Sequence, residues 1–221
     1  MAATRPNPFL AKKRKADFND DHIATATKQR LLTELKQRTQ ADPKGTNSCG
    51  VAWSLASDDN MFLLDGRILG PPDSCYEHGV FEVSIEIPFN YPIAPPKMFF
   101  VTPLWHPNIA VTDGSVCVDV IKSEWNPKMF IEAVMLSVQQ LLADPNPDAP
   151  ENVTASTQMN RDAILFSRIA RFWTTTFACK HLTADEQRNR RDDELQAKLS
   201  RILARTRGTL KDAMITLSNR E

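Results

Sequence analysis

The alternation in VFEVSIEIP, residues 80–88, narrows the fold of this chain more than any other pattern in it. Apolar residues occupy positions 81, 83, 85 and 87, and the positions between them carry Glu82, Ser84 and Glu86. A period of two indicates a strand with one buried face and one solvated face. Comparable segments at 50–55, 60–69 and 97–102 are separated by turn-rich stretches. Because consecutive strands joined by short turns tend to pair, we predict a four-stranded antiparallel sheet.

Three segments show helical periodicity instead. They are residues 22–40 before the strands, 130–143 after them, and 160–178, and the apolar stripe of the second is nearly unbroken, as in a buried helix. One helix, four strands and further helices predict an α+β domain with its helices gathered on one sheet. The apolar positions of the three segments are Ile23, Leu31, Leu32 and Leu35; Ile131, Val134, Met135, Val138, Leu141 and Leu142; and Leu165, Ile169, Phe172 and Trp173.

The charge balance limits the classes of partner that we expect. The two ends of the chain predict its domain boundaries. The 27 Lys and Arg residues equal the 27 Asp and Glu residues, so we expect neither nucleic acid nor a membrane as the main partner. No apolar run approaches the ~20 residues that cross a bilayer, and we expect a cytoplasmic or nuclear protein. We predict a flexible basic arm at 1–21, a core at 22–179 and a charged helical extension at 180–221. The KKRK run at 12–15 is either a nuclear-import signal or a solvated tail.

The extension has an amphipathic pattern of its own. Between 185 and 218, apolar residues recur at spacings near three and four, which predicts one helix with only Gly208 against it. Its apolar stripe must be covered, either by the protein's own core or by a ligase, an adaptor or a second copy. The stripe consists of Leu195, Leu199, Ile202, Leu203, Leu210, Met214 and Leu217.

The four cysteines lie far apart and form neither a CxxC pair nor a cluster at metal spacing. We therefore expect reduced thiols, no bound metal and no disulfide framework. A cysteine between two valines, such as Cys117, is more often a small buried hydrophobe than a nucleophile. However, Cys117 follows an Asp-Gly turn in an irregular stretch stiffened by the prolines of HPN (106–108) and EWNP (124–127). The side chain of Asn108 could donate to an oxyanion or close a turn that fixes the loop.

Six motifs taken together resemble the ubiquitin-conjugating enzymes. They are ILGPPDSCYEHGVFEVSIEIPFNYPIAPPK, HPNI, GSVCVDV, EWNP, LLADPNPDAP and SRIARFW, and they follow the family's order between about residues 24 and 178. The resemblance implies the UBC fold, in which an N-terminal helix precedes the meander, the active-site loop, a central helix and C-terminal helices. It also implies a transferase that works with ubiquitin or a ubiquitin-like modifier, an activating enzyme, a ligase and protein substrates. ATP would be used by the activating enzyme, so no cofactor is expected here.

The resemblance assigns roles to single residues. Cys117 would carry the modifier as a thioester and pass it to a substrate lysine. Asn108 would stabilise the oxyanion of that transfer or hold the loop in shape, and His106 would be mainly structural. Asp119 matches an acidic position that helps the incoming lysine lose its proton.

Two binding surfaces follow by position in the family. Ile93, Pro127 and Lys128 match the loops that ligases grip, and Lys28 and Arg30 lie where the activating enzyme docks. Alternatively, Ile93 is an ordinary loop residue and the two basic residues belong to a solvated helix face.

Three departures from the family set limits on this assignment. The segment from HPN to Cys117 is one residue longer than the family commonly has, Ala149 replaces a residue that is often acidic or Ser, and the chain continues from 179 to 221. Two other functions compete with conjugation. One is a non-catalytic binding or adaptor module with the UBC fold, and the other is a cysteine hydrolase that uses His106 as its base.

Overall fold

The computed structural model describes residues 21–41, 49–117, 121, 125–146, 148–179, 183, 192–205 and 209–219. Four strands form one antiparallel sheet in chain order, so the predicted meander is confirmed. The register places Trp53 opposite Gly66, and Gly66 opposite Val83. The strands are β1 Val51–Leu55, β2 Leu63–Leu69, β3 Val80–Glu86 and β4 Lys97–Phe100.

Seven helical segments accompany the sheet within the described residues. They are α1 Asp21–Ala41, α2 Ile131–Ala143, α3 Val153–Arg161, α4 Ala163–Trp173, a π-helical turn Thr174–Ala178, α5 Asp193–Arg205 and α6 Leu210–Ser218. No helix in this part of the chain is long and apolar enough to cross a membrane.

The core lies between the sheet and α2. All six apolar positions predicted for α2 are buried, from Ile131 to Leu142. The helix approaches β2 closely at Gly66, where a Cβ atom would lie 2.9 Å from the terminal methyl carbon of Met135 and 2.7 Å from a methyl carbon of Val83. Glycine at this position therefore allows the central helix and the sheet to pack at short range.

The alternation of β3 holds on its apolar face and fails at one polar position. Phe81, Val83 and Ile85 are buried and Glu82 is exposed, as predicted, but Ser84 is also buried. Ser84 lies in the middle of the sheet, paired with Asp65 on one side and Phe99 on the other. A small side chain between two neighbouring strands is easily covered by them, so alternation overstated its exposure.

The helix predicted over 160–178 is present, but it begins at Ala163 and ends in the π-helical turn Thr174–Ala178. Its N-cap is Asp162, whose backbone is not helical and whose carboxylate accepts from the backbone N–H of Leu165 at 2.9 Å. Asn152 begins the unpredicted helix α3 in the same way, accepting from the N–H of Ala155 at 3.1 Å. Both residues are N-caps, and the cap at Asp162 separates α4 from the helix before it, which sets the start of α4 at Ala163.

The buried face of α1 is more polar than its apolar residues suggest. Leu31 is buried, but Leu32 is exposed, and the other buried positions are Thr27 and Glu34. These residues follow the i, i+4, i+7 spacing of one helix face. The Thr27 hydroxyl is within 2.8 Å of the carbonyl oxygen of Tyr91, so this face is attached to the loop after β3.

The C-terminal extension forms two helices rather than one, and both pack onto the domain. Leu195 and Leu199 of α5 and Met214 and Leu217 of α6 are buried in the same core as the sheet. The apolar stripe of the extension therefore packs against the protein's own core, which is the first of the two possibilities considered. Gly208 lies outside the described residues, as do residues 1–20 of the predicted arm.

Candidate active site

The chain between Asn108 and Cys117 folds back on itself. Isolated β-bridges join Ile109 to Val116 and Phe99 to Ser115, and the N–H of Ala110 donates to the carbonyl of Ser115 at 2.9 Å. This pairing brings the two arms together, so that the N–H of Cys117 donates to the carbonyl of Asn108 at 3.0 Å. The Asn-bearing turn and the thiol-bearing residue are therefore neighbours in space.

Gly114 makes this loop possible. Its φ is +77°, in the left-handed region, and an added Cβ would lie 2.1 Å from the carbonyl oxygen of Phe100. Its carbonyl accepts from the N–H of Phe100 at 2.7 Å, which attaches the loop to β4. Only glycine meets both the conformational and the steric requirement.

The side chain of Asn108 is fully buried and makes three hydrogen bonds. Its amide nitrogen donates to the carbonyls of Asn146 at 2.6 Å and Ala149 at 2.9 Å, and its oxygen accepts from the N–H of Asn146 at 2.9 Å. Because the amide nitrogen has two hydrogens, both are in use. Asn108 thus connects the HPN turn to residues 146–149, and it could reach an oxyanion only after releasing one of these bonds.

His106 is held inside the turn by both ring nitrogens. Nδ1 accepts from the N–H of Asn108 at 3.0 Å, and Nε2 lies 3.0 Å from the carbonyl of Leu141, to which it donates. That carbonyl has no helical partner, because the residue four positions later is Pro145, which lacks an N–H. Burial lowers the pKa of His106 to about 4, so the ring is neutral near pH 7. Both ring nitrogens are bonded to other groups, whereas a hydrolase base would need one directed at Cys117.

The four thiols differ in their surroundings, and all four are free. Cys117 is 5% exposed and lies opposite Asn108. Burial raises the pKa of Cys75 to about 11, which leaves that thiol protonated at neutral pH. Cys179 is buried and Cys49 is exposed. Among the described residues no three His, Cys, Asp or Glu side chains are placed to hold a metal ion, and Asp119 lies outside those residues.

The structure places the three residues predicted for ligase binding on neighbouring loops. Ile93 is 75% exposed, and Pro127 and Lys128 are exposed as well. Trp125 joins the loops, since its indole N–H lies 3.1 Å from the carbonyl oxygen of Pro92. The three residues therefore belong to one region of the surface.

The two basic residues predicted to meet the activating enzyme are in different environments. Lys28 is exposed, but the Arg30 guanidinium donates to Glu34 at 2.6 Å and to the carbonyl of Met129 at 2.7 Å. It also lies over the ring of Phe130, 4.6 Å from the ring centroid. Two of the five N–H groups of Arg30 thus bind within the protein.

Glu34 is buried and connects α1 to Tyr91 and to the start of α2, and the sequence analysis did not predict this role. Its carboxylate accepts from Arg30, from the Tyr91 hydroxyl at 2.5 Å and from the N–H of Ile131 at 2.9 Å. Ile131 begins α2, whose N-cap, Phe130, makes no side-chain cap bond. Burial, together with the bond to Glu34, raises the pKa of Tyr91 well above its usual value. An acid four residues after an Arg is ordinary on an exposed helix face, so no sequence signal marked this one.

Comparisons with known proteins define the class. The family model described as "Ubiquitin-conjugating enzyme" matches residues 30–174, more than half of the chain, including His106, Asn108 and Cys117. Ubiquitin-conjugating enzyme E2 K of Homo sapiens is 35% identical over 164 residues, which are 74% of this chain and 80% of that protein. Ubiquitin-conjugating enzyme E2 27 of Arabidopsis thaliana is 36% identical over 149 residues, 67% of this chain and 77% of that protein.

A solved structure agrees with these relatives. The E2 domain of a ubiquitin conjugating enzyme from Toxoplasma gondii superimposes with a TM-score of 0.60 at 39% identity, covering 68% of this chain and 98% of that domain. The fold and the matches together define a transferase of ubiquitin conjugation. This chain belongs to the ubiquitin-conjugating enzyme family. Membership implies ubiquitin, activating enzymes and ligases as partners in general.

Proposed function

We propose that Cys117 accepts ubiquitin or a ubiquitin-like modifier from an activating enzyme as a thioester and passes it to a substrate lysine, usually with a ligase. The observation that carries this proposal is the paired loop that sets Cys117 opposite Asn108. A non-catalytic adaptor with the same fold is the alternative, and it has no need of a cysteine at this position.

The chemistry needs little from the site. In loading, the Cys117 thiolate attacks the modifier's thioester on the activating enzyme; a new C–S bond forms and the activating enzyme's thiolate leaves. In transfer, a lysine amine attacks the Cys117 thioester; a C–N bond forms, the C–S bond breaks, and the proton lost by the amine returns to the thiolate or to water. Since an ordinary lysine pKa is about 10.4, the amine must shed a proton first. We assign that assistance to Asp119.

We propose a loop-holding role for Asn108. Its three side-chain hydrogen bonds to residues 146–149 and its complete burial support this role over oxyanion donation. The Asn108→Ala variant should then lose both loading and transfer and unfold more easily. A pure oxyanion donor would instead leave loading nearly intact and slow transfer by about 10²-fold.

We also propose that ligases bind the surface formed by Ile93, Pro127 and Lys128, and that the activating enzyme meets α1 at Lys28. The exposure of these four residues supports both assignments. Because Arg30 is occupied by Glu34 and Met129, we propose that it contributes to this docking mainly by holding the helix in place.

Loading on a non-reducing gel tests the central proposal. The protein is mixed with ATP and a panel of activating enzymes, each with its own modifier, and we expect a thiol-sensitive adduct with at least one of them. Cys117→Ser should give an adduct that survives thiol, or none, whereas the matched variant Cys49→Ser, at an exposed thiol, should load normally. If no activating enzyme loads the protein, or if Cys117→Ser still forms a thiol-sensitive adduct, the proposal is wrong.

A further inference from the structure

Helix α6 lies beyond the family-matched residues 30–174, yet it bonds directly to the active-site loop at one place and reaches it through Gln158 at another. One contact comes from Lys211 in its first turn and the other from Ser218 at its end. The active-site loop (residues 105–117) runs from Trp105 through the HPN turn to Cys117, and both contacts bear on it.

Lys211 binds the tip of the active-site loop. Its Nζ donates to the carbonyl oxygen of Thr112 at 3.0 Å. Thr112 belongs to the AVTDG segment (110–114) of this loop. The neighbouring Asp113 attracts the ammonium group, while partial burial lowers the pKa of Lys211. Asp113 also accepts from the N–H and the hydroxyl of Ser115, so its charge is fixed beside the tip.

Ser218 supports the base of the same loop. The indole N–H of Trp173 donates to the Ser218 hydroxyl at 2.9 Å in a buried position, and the Gln158 side chain donates to the Ser218 carbonyl. The Gln158 oxygen accepts from the indole N–H of Trp105 at 2.9 Å. Trp105 directly precedes His106, and its ring lies 5.5 Å from that of Trp173. The end of α6 is thus two hydrogen bonds away from Trp105, the residue directly before the HPN turn.

We propose that Lys211 is a positioning residue for transfer, which holds the tip of the active-site loop so that Asn108 and Cys117 stay in register. The proposal rests on the proposed function of Cys117. Ser218 fixes the base of the loop through Trp105, and β4 holds one arm through Gly114. The outer side of the tip is held by Lys211, which acts through the Thr112 carbonyl and touches no reacting atom.

The test compares Lys211→Met, Lys211→Arg and a matched control, Lys198→Met. Methionine keeps an unbranched apolar stem but cannot donate, whereas arginine can still donate to Thr112. Lys198 lies in the same extension and pairs with Glu194 on its own helix. Discharge of preloaded thioester onto free lysine is followed in single turnover, together with the loading rate, the thermal midpoint, and NMR hydrogen exchange of the Gly114 and Cys117 amides.

We expect Lys211→Met to slow discharge about three- to tenfold, because small misplacements of reacting groups are costly. The thermal midpoint should stay near wild type, and loading should slow by no more than discharge does. Exchange of the Gly114 and Cys117 amides should become faster, Lys211→Arg should recover most of the rate, and Lys198→Met should behave as wild type.

Three results would overturn the proposal. They are unchanged discharge in Lys211→Met, unchanged exchange of the Gly114 and Cys117 amides in that variant, and a loss of stability that slows loading and discharge equally and that arginine does not rescue. Failure of the proposed function gives a different result, because the wild-type protein then fails to load in the first step. Amide exchange in Lys211→Met still reports whether the lysine holds the loop, and unchanged exchange would overturn that part as well.

Discussion

Acidification from pH 7 to pH 5 should destabilise the protein through His106. In the folded state burial lowers the pKa of this ring to about 4, and the ring is hydrogen-bonded as the neutral form. In the unfolded chain the pKa is about 6.5. Between these two values the unfolded state binds more protons than the folded state, so the free energy of unfolding falls as the pH falls through this window.

The size of the effect follows from the two pKa values. A folded pKa of about 4 against an unfolded pKa of about 6.5 corresponds to about 3 kcal/mol when both states are fully titrated. About 2 kcal/mol of this is lost by pH 5, because the unfolded ring is by then almost fully protonated while the folded ring is still mostly neutral. Above about pH 7 the contribution no longer changes, because the ring is neutral in both states.

Urea unfolding at pH 7, 6 and 5, followed by tryptophan fluorescence, measures this loss. Carboxylates titrate in the same range, so the variant His106→Gln serves as the reference: glutamine can still donate toward Leu141 but does not titrate. We expect it to be about 1 kcal/mol less stable than wild type at pH 7, from imperfect bonding, yet to lose about 2 kcal/mol less by pH 5. His78→Asn, at an exposed histidine, is the matched control and should follow wild type. Parallel pH profiles for wild type and His106→Gln would refute the reasoning.

Two further predictions concern stability. Glu34→Ala should lower the free energy of unfolding in urea by about 3 kcal/mol, because Arg30, the Tyr91 hydroxyl and the N–H of Ile131 lose a partner together. The control Glu77→Ala, at a half-exposed site, should cost little, and equal effects would contradict the buried network. Truncation after Lys180 should lower the thermal midpoint by at least about 5 °C, because it uncovers Trp173 and the core beneath α5 and α6; an unchanged midpoint would show that the extension is not part of the core.

The sheet and the central helix were predictable because burial there follows a simple period. Phe81, Val83 and Ile85 mark every second position of β3, and the α2 stripe repeats at three and four. The start of α4 at Ala163 and the separate helix α3 before it were not predicted, because they depend on the cap chemistry of Asp162 and Asn152 rather than on apolar periodicity. The extension was correctly predicted to be helical and amphipathic. Its partner could not be predicted, since a stripe does not specify what covers it.

Only those parts of the candidate site that are close together in sequence could be predicted. The Asp-Gly pair predicted a turn between Asn108 and Cys117, and in the structure the two arms of this loop pair with each other. The groups that occupy the Asn108 side chain lie at Asn146 and Ala149, far along the sequence, and two of the bonds involve backbone carbonyls that no residue type announces. Glu34 was missed for a related reason, since a polar residue gives no sign of burial until its partners are known.

The two ends of α2 explain why the active-site turn and the first helix belong to one mechanical unit. At the N-terminus of α2 the N–H of Ile131 donates to the Glu34 carboxylate, and the helix dipole makes a negative charge favourable there. At the C-terminus the carbonyl of Leu141, left without a helical donor by Pro145, receives His106. A helix of 13 residues spans about 20 Å, so one rigid element connects α1 to the HPN turn. Since the same turn carries Asn108, whose backbone carbonyl accepts from the N–H of Cys117, the position of Cys117 depends on the bonds at both ends of this helix as well as on its apolar stripe.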